Sequence, residues 1–178
     1  MSLQLFLTAA FLLSLERICY VWAWRYSPSF RRFCERPMIA ALGEPIAILQ
    51  KFFYCFKIIQ LTVFFVWCYV HGEGAFLQAS GNGLFVALGC ALIVLGQVLN
   101  FSVFYRLGTR GVFYGNKFGY EIPWIRDFPF SVLKHPQYVG AVCSIWGFFL
   151  TTRFPCDDWC MIPLLETAYY ACGAYLEQ

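Results

Sequence analysis

The chain has too little charge to cover the surface of a soluble domain. Only 13% of its 178 residues are charged, whereas 60% are hydrophobic and 21% are aromatic. Soluble domains are about 25% charged and about 45–50% apolar. The deficit predicts an integral membrane protein, in which lipid rather than water covers most of the surface. The net charge of +3 is too small to indicate a nucleic-acid partner, and we expect none.

Several motifs that carry chemistry are also missing. The sequence has no Gly-x-Gly-x-x-Gly after a strand and no Walker-type Gly-Lys-Ser/Thr, which argues against a nucleotide-binding fold. Cys156 and Cys160 are spaced like a metal-binding pair, but no second Cys or His pair accompanies them, so we expect no metal site. The apolar N-terminus lacks the basic start and the small-residue cleavage site of a secretory signal, so we expect it to be retained.

Five apolar segments are candidates for membrane helices, since about 20 apolar residues cross a bilayer core. They predict an all-α, multi-pass helical bundle with four or five membrane helices. Glu16 and Arg17 interrupt the first segment, which we therefore expect to be short, re-entrant or interfacial. Lys51 and Lys57 lie near the start of the second, where long side chains can snorkel to the interface. The segments are residues 3–24, 49–69, 83–105, 138–152 and 159–176.

The basic residues of the loops predict the orientation of the bundle. The loop between the first two segments carries four arginines, and the loop between the third and fourth carries five basic residues. Residues 70–82 carry none, and the last loop carries only Arg153. Basic residues are concentrated in cytoplasmic loops. Residues 25–36 and 106–134 are therefore predicted to be cytoplasmic, and an even number of spans places the C-terminus on the same side.

Residues 106–137 form a loop that is too long and too varied to be a simple linker. Connections of this length are uncommon unless they have a functional role. The loop mixes basic, acidic and aromatic residues with glycines that permit tight turns. It ends at the mouth of the fourth segment in Lys-His-Pro-Gln-Tyr-Val-Gly, residues 134–140. These residues predict a functional site where a polar ligand meets the membrane.

The same stretch resembles the phospholipid methyltransferase family. The likeness is good over about residues 94–150, looser towards the C-terminus and weak before residue 80. The Lys134-His135-Pro136 element also resembles that of the isoprenylcysteine carboxyl methyltransferases. The residues that carry the family pattern are Gly108, Gly111, Phe113, Gly115, Phe118, Gly119, Phe128, Pro129, Phe130, Pro136, Tyr138 and Gly140.

The resemblance implies methyl transfer from S-adenosylmethionine to an acceptor at the membrane interface. A Gly-x-Gly in the family's preceding helix helps to bind this cofactor, and the matching positions are Val94, Leu95 and Gly96. A terminal Glu-Glu pair also helps, and here Glu177 matches with Leu176 or Gln178 in place of its partner. We therefore expect one membrane-embedded domain, residues 1–178, with N-terminal helices in 1–82 and a cofactor-binding core in 83–178.

The resemblance also suggests roles for the residues at the helix mouth. Lys134 and Arg126 would pair with a carboxylate or phosphate, Lys134 on the cofactor and Arg126 on the substrate. His135 would bond the cofactor or accept a proton, and Tyr138 would face the sulfonium. We predict His135 and Tyr138 as catalytic and include Pro136, which opens the helix, among the cofactor-binding residues. Plainer alternatives are positive-inside topology, a solvated histidine and an interfacial aromatic anchor.

The expected function is that of an S-adenosylmethionine-dependent phospholipid N-methyltransferase. It would methylate phosphatidylethanolamine or its monomethyl or dimethyl form towards phosphatidylcholine, in the endoplasmic reticulum membrane, with its site facing the cytoplasm. One alternative is a protein-S-isoprenylcysteine carboxyl O-methyltransferase. Another is a non-catalytic membrane relative, which Val94 and the missing second glutamate would explain. A transporter would be marked by ionisable residues deep in the spans, of which Glu166 is the main candidate.

Overall fold

The computed structural model describes residues 3–72, 74 and 82–177, and the regular structure in these ranges is entirely helical. This confirms the all-α prediction. Gln178 and most of the loop 70–82 lie outside the described residues. Two short helices follow the first long one, and a single 3₁₀ turn, Gly115–Phe118, follows α5. The helices are α1 (Leu3–Arg25), α2 (Ser27–Cys34), α3 (Pro37–Ala40), α4 (Pro45–His71), α5 (Gly83–Val112), α6 (Pro136–Thr152) and α7 (Met161–Leu176).

Three helices in the described part of the chain are long and apolar enough to cross a membrane. They are α1, α4 and α5 extended to Phe118. The other two long helices, α6 and α7, have 17 and 16 residues. At 1.5 Å per residue these are roughly 25 Å long, shorter than a bilayer core of about 30 Å. The membrane bundle is confirmed, but the predicted count of four or five spans is not.

The expectation of a short or re-entrant first helix is wrong. α1 is one continuous helix of 23 residues. Glu16 and Arg17 do not interrupt it because both side chains are buried against other helices instead of facing lipid. The cost of polar groups in a membrane helix depends on what surrounds them, and these two pair inside the protein.

Proline and glycine determine where several helices begin and bend. α2, α3, α4 and α6 each have proline in the first turn, where the missing N–H costs no hydrogen bond. α5 continues to Val112, beyond the predicted end at residue 105, and contains a break at Gly108. Gly108 has a φ of 61°, which glycine adopts without steric cost.

Four glycines hold α5 and α6 in close antiparallel contact. A Cβ added to Gly96 would lie 2.4 Å from the carbonyl oxygen of Gly140. One added to Gly147 would lie 2.5 Å from the carbonyl oxygen of Gly89. Without side chains at these positions the two backbones approach each other directly, as small residues permit in membranes. These four glycines therefore set the short distance between α5 and α6.

The remaining core forms two apolar clusters with a polar layer between them. One cluster includes Tyr20, Phe30 and Ile48. The other includes Leu13 and Phe64. In α1 and α4 the residues between the clusters include Glu16, Arg17, Lys57 and Gln60. The polar layer therefore crosses the bundle between two hydrophobic cores, at the level where the cavity described below is found.

A buried ion pair lies at the end of the bundle opposite the basic loops. Arg153, at the end of α6, donates hydrogen bonds to Asp158 at 2.6 and 3.0 Å. Arg153 also donates to the backbone oxygen of His71 at 2.8 Å, and Trp67 donates to Asp158 at 2.9 Å. Burial raises the pKa of Asp158, but hydrogen bonding to Arg153 outweighs this and holds the pKa below its ordinary value. The pair ties the end of α4 to the α6–α7 connection.

Candidate functional site

A cavity of about 650 Å³ lies within the bundle and reaches the predicted helix mouth. Its volume is within the range of about 300–1,000 Å³ that is usual for small-molecule sites. The walls come from α1, α4, α5, α6, α7 and the residues just before α6. Lys134, His135, Pro136, Tyr138 and Glu177 all line it. The structure thus brings together five of the residues predicted from the sequence.

Tyr138 and Glu177 form the centre of this group. Pro136 starts α6, which places Tyr138 in its first turn, and Glu177 follows the last residue of α7. The Tyr138 hydroxyl donates a hydrogen bond of 2.5 Å to Oε2 of Glu177. Oε1 of Glu177 is buried and has no partner. Burial raises the pKa of Glu177, although hydrogen bonding by Tyr138 and by the neighbouring Tyr114 opposes the rise. One oxygen of this carboxylate is therefore fixed by Tyr138, and the other can accept a hydrogen bond from a ligand.

His135 lies against the same tyrosine. The two rings are stacked, with centroids 5.8 Å apart and planes inclined by 16°. His135 occupies the N-cap position of α6, which fixes its backbone, and its Nε2 is buried without a partner. A neutral imidazole nitrogen in this position can accept or donate one hydrogen bond. His135 and Glu177 therefore each present one unpartnered polar atom.

The polar layer adds three charged residues, Glu16, Arg17 and Lys57, to the wall of the cavity. Arg17 pairs with Glu16, and Nζ of Lys57 lies 3.1 Å from the same carboxylate. Lys57 also donates to Gln60 at 2.9 Å and to the Tyr170 hydroxyl at 3.3 Å. The expectation that Lys57 snorkels to the interface is wrong, because its ammonium group is held inside the bundle by these three partners.

Glu166 is connected to this layer through an amide. Its Oε1 accepts a hydrogen bond of 2.6 Å from Nε2 of Gln60, the side chain that also bonds Lys57. Glu166 is buried in the middle of α7. The residue that would have marked a transporter is therefore part of the polar layer that borders the cavity.

The guanidinium group of Arg17 is surrounded by aromatic rings. Its Cζ lies 4.2 Å from the ring centroid of Tyr170, 5.0 Å from that of Tyr20 and 5.4 Å from that of Tyr138. Arg17 is only 8% exposed, and its Nη1 has no hydrogen-bond partner. Cation–π contacts of this kind hold the guanidinium group in place but do not satisfy its N–H donors.

Other predicted site residues lie away from the cavity. Gly96 is buried between α5 and α6, where it serves helix packing. Val94 and Leu95 are 63% and 49% exposed and are not among the residues that line the cavity. Arg126 is exposed and also does not line it. The binding roles of these residues stay predictions, as does that of Gln178, which lies outside the described residues.

Sequence reasoning missed the contribution of the N-terminal half to the cavity. Arg17, Lys57 and Gln60 line it together with Tyr114 and Tyr170. A signal was present, because ionisable residues inside apolar segments usually mark a functional site. What the sequence does not show is that α1, α4 and α7 bring these residues to the same level of the bundle.

Comparison with known proteins supports a single family. The family model described as "Phospholipid methyltransferase" matches residues 84–178. A phosphatidyl-N-methylethanolamine N-methyltransferase of Arabidopsis thaliana is 32% identical over 126 residues, 71% of this chain and 67% of the relative. A phosphatidylethanolamine N-methyltransferase of Mus musculus is 30% identical over 123 residues, 67% of this chain and 61% of the relative.

Another phosphatidylethanolamine N-methyltransferase, from Rattus norvegicus, is 41% identical over 69 residues. That alignment covers 38% of this chain and 35% of the rat protein, so the similarity extends over only part of the relative's length. No solved structure matches the chain. The match to the family model includes α5 from its second residue, α6, α7 and the whole of the long loop, and therefore includes Tyr138 and Glu177.

Proposed function

We propose an activity on the premise that the chain belongs to the phospholipid methyltransferase family, whose model matches more than half of it. The protein is a phospholipid N-methyltransferase that uses S-adenosylmethionine to methylate phosphatidylethanolamine or its monomethyl or dimethyl form towards phosphatidylcholine. The observation that carries the proposal is that Tyr138, Glu177 and His135 converge on one cavity in the matched part of the chain.

The cavity has the donors, acceptors and apolar walls that the methyl donor needs. S-adenosylmethionine combines a cationic sulfonium, an amino acid end and an adenosine. Oε1 of Glu177 is a buried acceptor without a partner, suited to the amino group or a ribose hydroxyl. The ring of Tyr138 offers a π face to a cation. These unpartnered groups fit the donor, and leaving a buried polar atom unsatisfied would otherwise cost about 1–3 kcal/mol.

When bound, the donor supplies a methyl group that is already activated on the sulfonium. The residues of this chain then have three tasks: to align the acceptor amine, to exclude water and to accept a proton. The amine attacks only when neutral, so the ammonium of the lipid headgroup must lose a proton. His135, at the helix mouth with an unpartnered Nε2, is the candidate acceptor.

The lipid substrate is proposed to present its phosphate at the mouth of the cavity. Lys134 lines the cavity and is exposed, as expected for a residue that meets a headgroup at the interface. A lysine ammonium binds phosphate through charge-assisted hydrogen bonds. The acyl chains would remain in the bilayer, which contacts the apolar helices.

We propose an endoplasmic reticulum membrane and a cytoplasmic cavity mouth. The basic segments Arg25–Arg36 and Arg106–Lys134 connect long helices, the second of them runs to the start of α6, and basic connections are normally cytoplasmic. Residues 1–82 and 83–178 are proposed to form one domain, because Arg17 and Lys57 from the first part and Tyr138 from the second line the same cavity.

The relatives reported above are phospholipid N-methyltransferases, and none is a carboxyl methyltransferase. A methyl-transfer assay separates the two activities. The protein would be purified in detergent with mixed lipids and supplied with radiolabelled S-adenosylmethionine. Phosphatidylethanolamine, monomethyl-phosphatidylethanolamine and a farnesyl-cysteine peptide would be offered separately, with Glu177→Ala beside the wild type and Glu121→Ala, an exposed loop carboxylate, as control.

We expect label in a phospholipid with wild type and Glu121→Ala and a strong loss with Glu177→Ala. The lipid that is labelled names the methylation step. Label only in the peptide would contradict the proposal and favour the carboxyl methyltransferases. Absence of label in every acceptor, together with undetectable cofactor binding, would favour a non-catalytic relative.

A further inference from the structure

We propose that Arg17 of α1 binds the carboxylate at the amino acid end of the methyl donor. The inference rests on the proposed function and extends it to a residue outside the part of the chain that matches the family model. Arg17 would then be a cofactor-binding residue contributed by the N-terminal half. Three observations support this: an unused donor, a carboxylate that Arg17 shares with Lys57, and the position relative to Glu177.

The unused donor is Nη1 of Arg17. Arg17 is only 8% exposed and lines the cavity, yet this nitrogen has no hydrogen-bond partner. Buried polar groups nearly always have partners, and a buried group without one calls for an explanation. The other terminal nitrogen, Nη2, is already engaged by Glu16. A ligand oxygen in the cavity would satisfy Nη1 without disturbing that pair.

Arg17 has no carboxylate of its own. Glu16 is shared by two cations, Arg17 and Lys57. Glu166 and Glu177 accept hydrogen bonds from the neutral side chains of Gln60 and Tyr138, and among the described residues neither forms an ion pair with Arg17. The single carboxylate in contact with Arg17 is therefore divided between two cations, and a ligand carboxylate could form a second charge-assisted hydrogen bond with it.

The position relative to Glu177 indicates a ligand with two opposite charges. Tyr138 connects the two groups, because its ring lies under the Arg17 guanidinium group and its hydroxyl bonds Glu177. Both residues that contact Tyr138 thus have one unpartnered polar atom, a donor on Arg17 and an acceptor on Glu177. The methionine end of the donor carries an ammonium and a carboxylate on the same carbon, so it could engage both.

A lipid phosphate is the less suitable partner for Arg17. The phosphate of a phospholipid is tied to the glycerol at the membrane surface, where the exposed Lys134 lies. Arg17 is buried inside α1, two turns before its end at Arg25. A guanidinium group also has the planar geometry that matches a carboxylate. We therefore assign the carboxylate of the donor to Arg17 and the phosphate of the lipid to Lys134.

The test compares two nucleosides, one with the amino acid end of the methyl donor and one without it. Binding of S-adenosylhomocysteine and of 5′-methylthioadenosine, which lacks both the carboxylate and the amine, would be measured by calorimetry in detergent. The variants are Arg17→Gln and Arg17→Lys, with Arg25→Gln as control because Arg25 is exposed on the same helix. Arg17→Gln retains the Glu16–Lys57 pair, so it leaves no carboxylate without a cation.

We expect Arg17→Gln to weaken S-adenosylhomocysteine binding roughly ten- to a hundredfold, as for a lost hydrogen bond to a charged group. Arg17→Lys should retain part of the affinity. Binding of 5′-methylthioadenosine should be unchanged in every variant, which also shows that the fold is intact. Arg25→Gln should match the wild type for both ligands.

Other outcomes would overturn the assignment. Equal losses for both nucleosides in Arg17→Gln would mean that the residue is structural. Unchanged binding of both, with a raised KM for the phospholipid, would mean that Arg17 serves the lipid phosphate instead. If the wild type bound neither nucleoside, both the proposed function and this inference would be refuted. If the wild type bound them and Arg17→Gln bound them equally well, only this inference would be refuted.

Discussion

The hydroxyl of Tyr138 bonds the carboxylate of Glu177 and thereby joins the start of α6 to the end of α7. The two residues are 39 positions apart in the sequence, so tertiary packing rather than local sequence brings them together. The bond orients one oxygen of Glu177 and leaves the other for a ligand. We expect Tyr138→Phe to remove this orientation while keeping the aromatic ring, and so to weaken binding of S-adenosylhomocysteine about tenfold or more.

Calorimetry in detergent measures this effect. Tyr175→Phe is the matched control, because Tyr175 is on α7 and 75% exposed. An unchanged affinity in Tyr138→Phe would show that the hydrogen bond does not prepare the site.

Cofactor affinity should depend on pH through Glu177. Burial raises the pKa of this carboxyl above its ordinary value of 4.5, so it keeps a proton to higher pH than an exposed glutamate does. A ligand that donates hydrogen bonds prefers the ionised form and releases the proton on binding. Affinity should therefore rise with pH up to the raised pKa, level off above it and fall as the pH is lowered through it.

The measurement is S-adenosylhomocysteine affinity over a pH series, together with the protons released. Glu177→Gln cannot titrate and should show a weaker affinity without this dependence. If the variant kept the slope of the wild type, another group would be responsible.

Asp158 should stabilise the protein through its pair with Arg153. The folded-state pKa of Asp158 is below its ordinary value, so its contribution is complete at neutral pH and is lost as the pH falls through that lowered pKa. Asp158→Ala would leave Arg153 buried without its partner, which costs about 3–5 kcal/mol for a buried pair.

Thermal unfolding in detergent should show a clear drop in midpoint for Asp158→Ala. Asp157→Ala is the control because its side chain is exposed and adjacent in sequence. Equal midpoints for the two variants would refute a stabilising role for the ion pair.

The contact between α5 and α6 should not tolerate a methyl group. In Gly96→Ala the new Cβ would lie 2.4 Å from the Gly140 carbonyl oxygen, so the helices would have to separate. Because α6 carries Tyr138 in its first turn, we expect both stability and methyl transfer to fall. Gly83→Ala, which meets nothing within 4 Å, should behave as wild type in both assays. Wild-type behaviour of Gly96→Ala would contradict the packing argument.

Composition and hydrophobic runs were enough to predict the helical class and the approximate positions of five helices. The first helix was misjudged because the sequence shows Glu16 and Arg17 as interruptions, whereas burial against α4 and α7 makes them tolerable. The same reason explains why the prediction for Lys57 was wrong. Its long side chain suggested snorkelling, but three hydrogen-bond partners hold its ammonium group inside the bundle.

Some residues of the candidate site could also be predicted from the sequence, whereas others could not. Lys134, His135, Pro136 and Tyr138 are adjacent in sequence, so their motif predicts their proximity. Glu177 was placed by the resemblance to the family, and the structure puts it beside Tyr138. Arg17 could not be placed, because its contacts come from the packing of α1 against α7 and no local pattern encodes that packing.

The polar layer also implies an order of assembly during synthesis. Glu16 and Arg17 leave the ribosome first, Lys57 follows, and Tyr170 comes nearly at the end of the described chain. Until α4 has entered the bilayer, the two charges of α1 have only each other, and exposure of such charges to lipid is costly. α1 and α4 would therefore join early through Glu16 and Lys57, and the insertion of α7 would be the step that encloses the cavity.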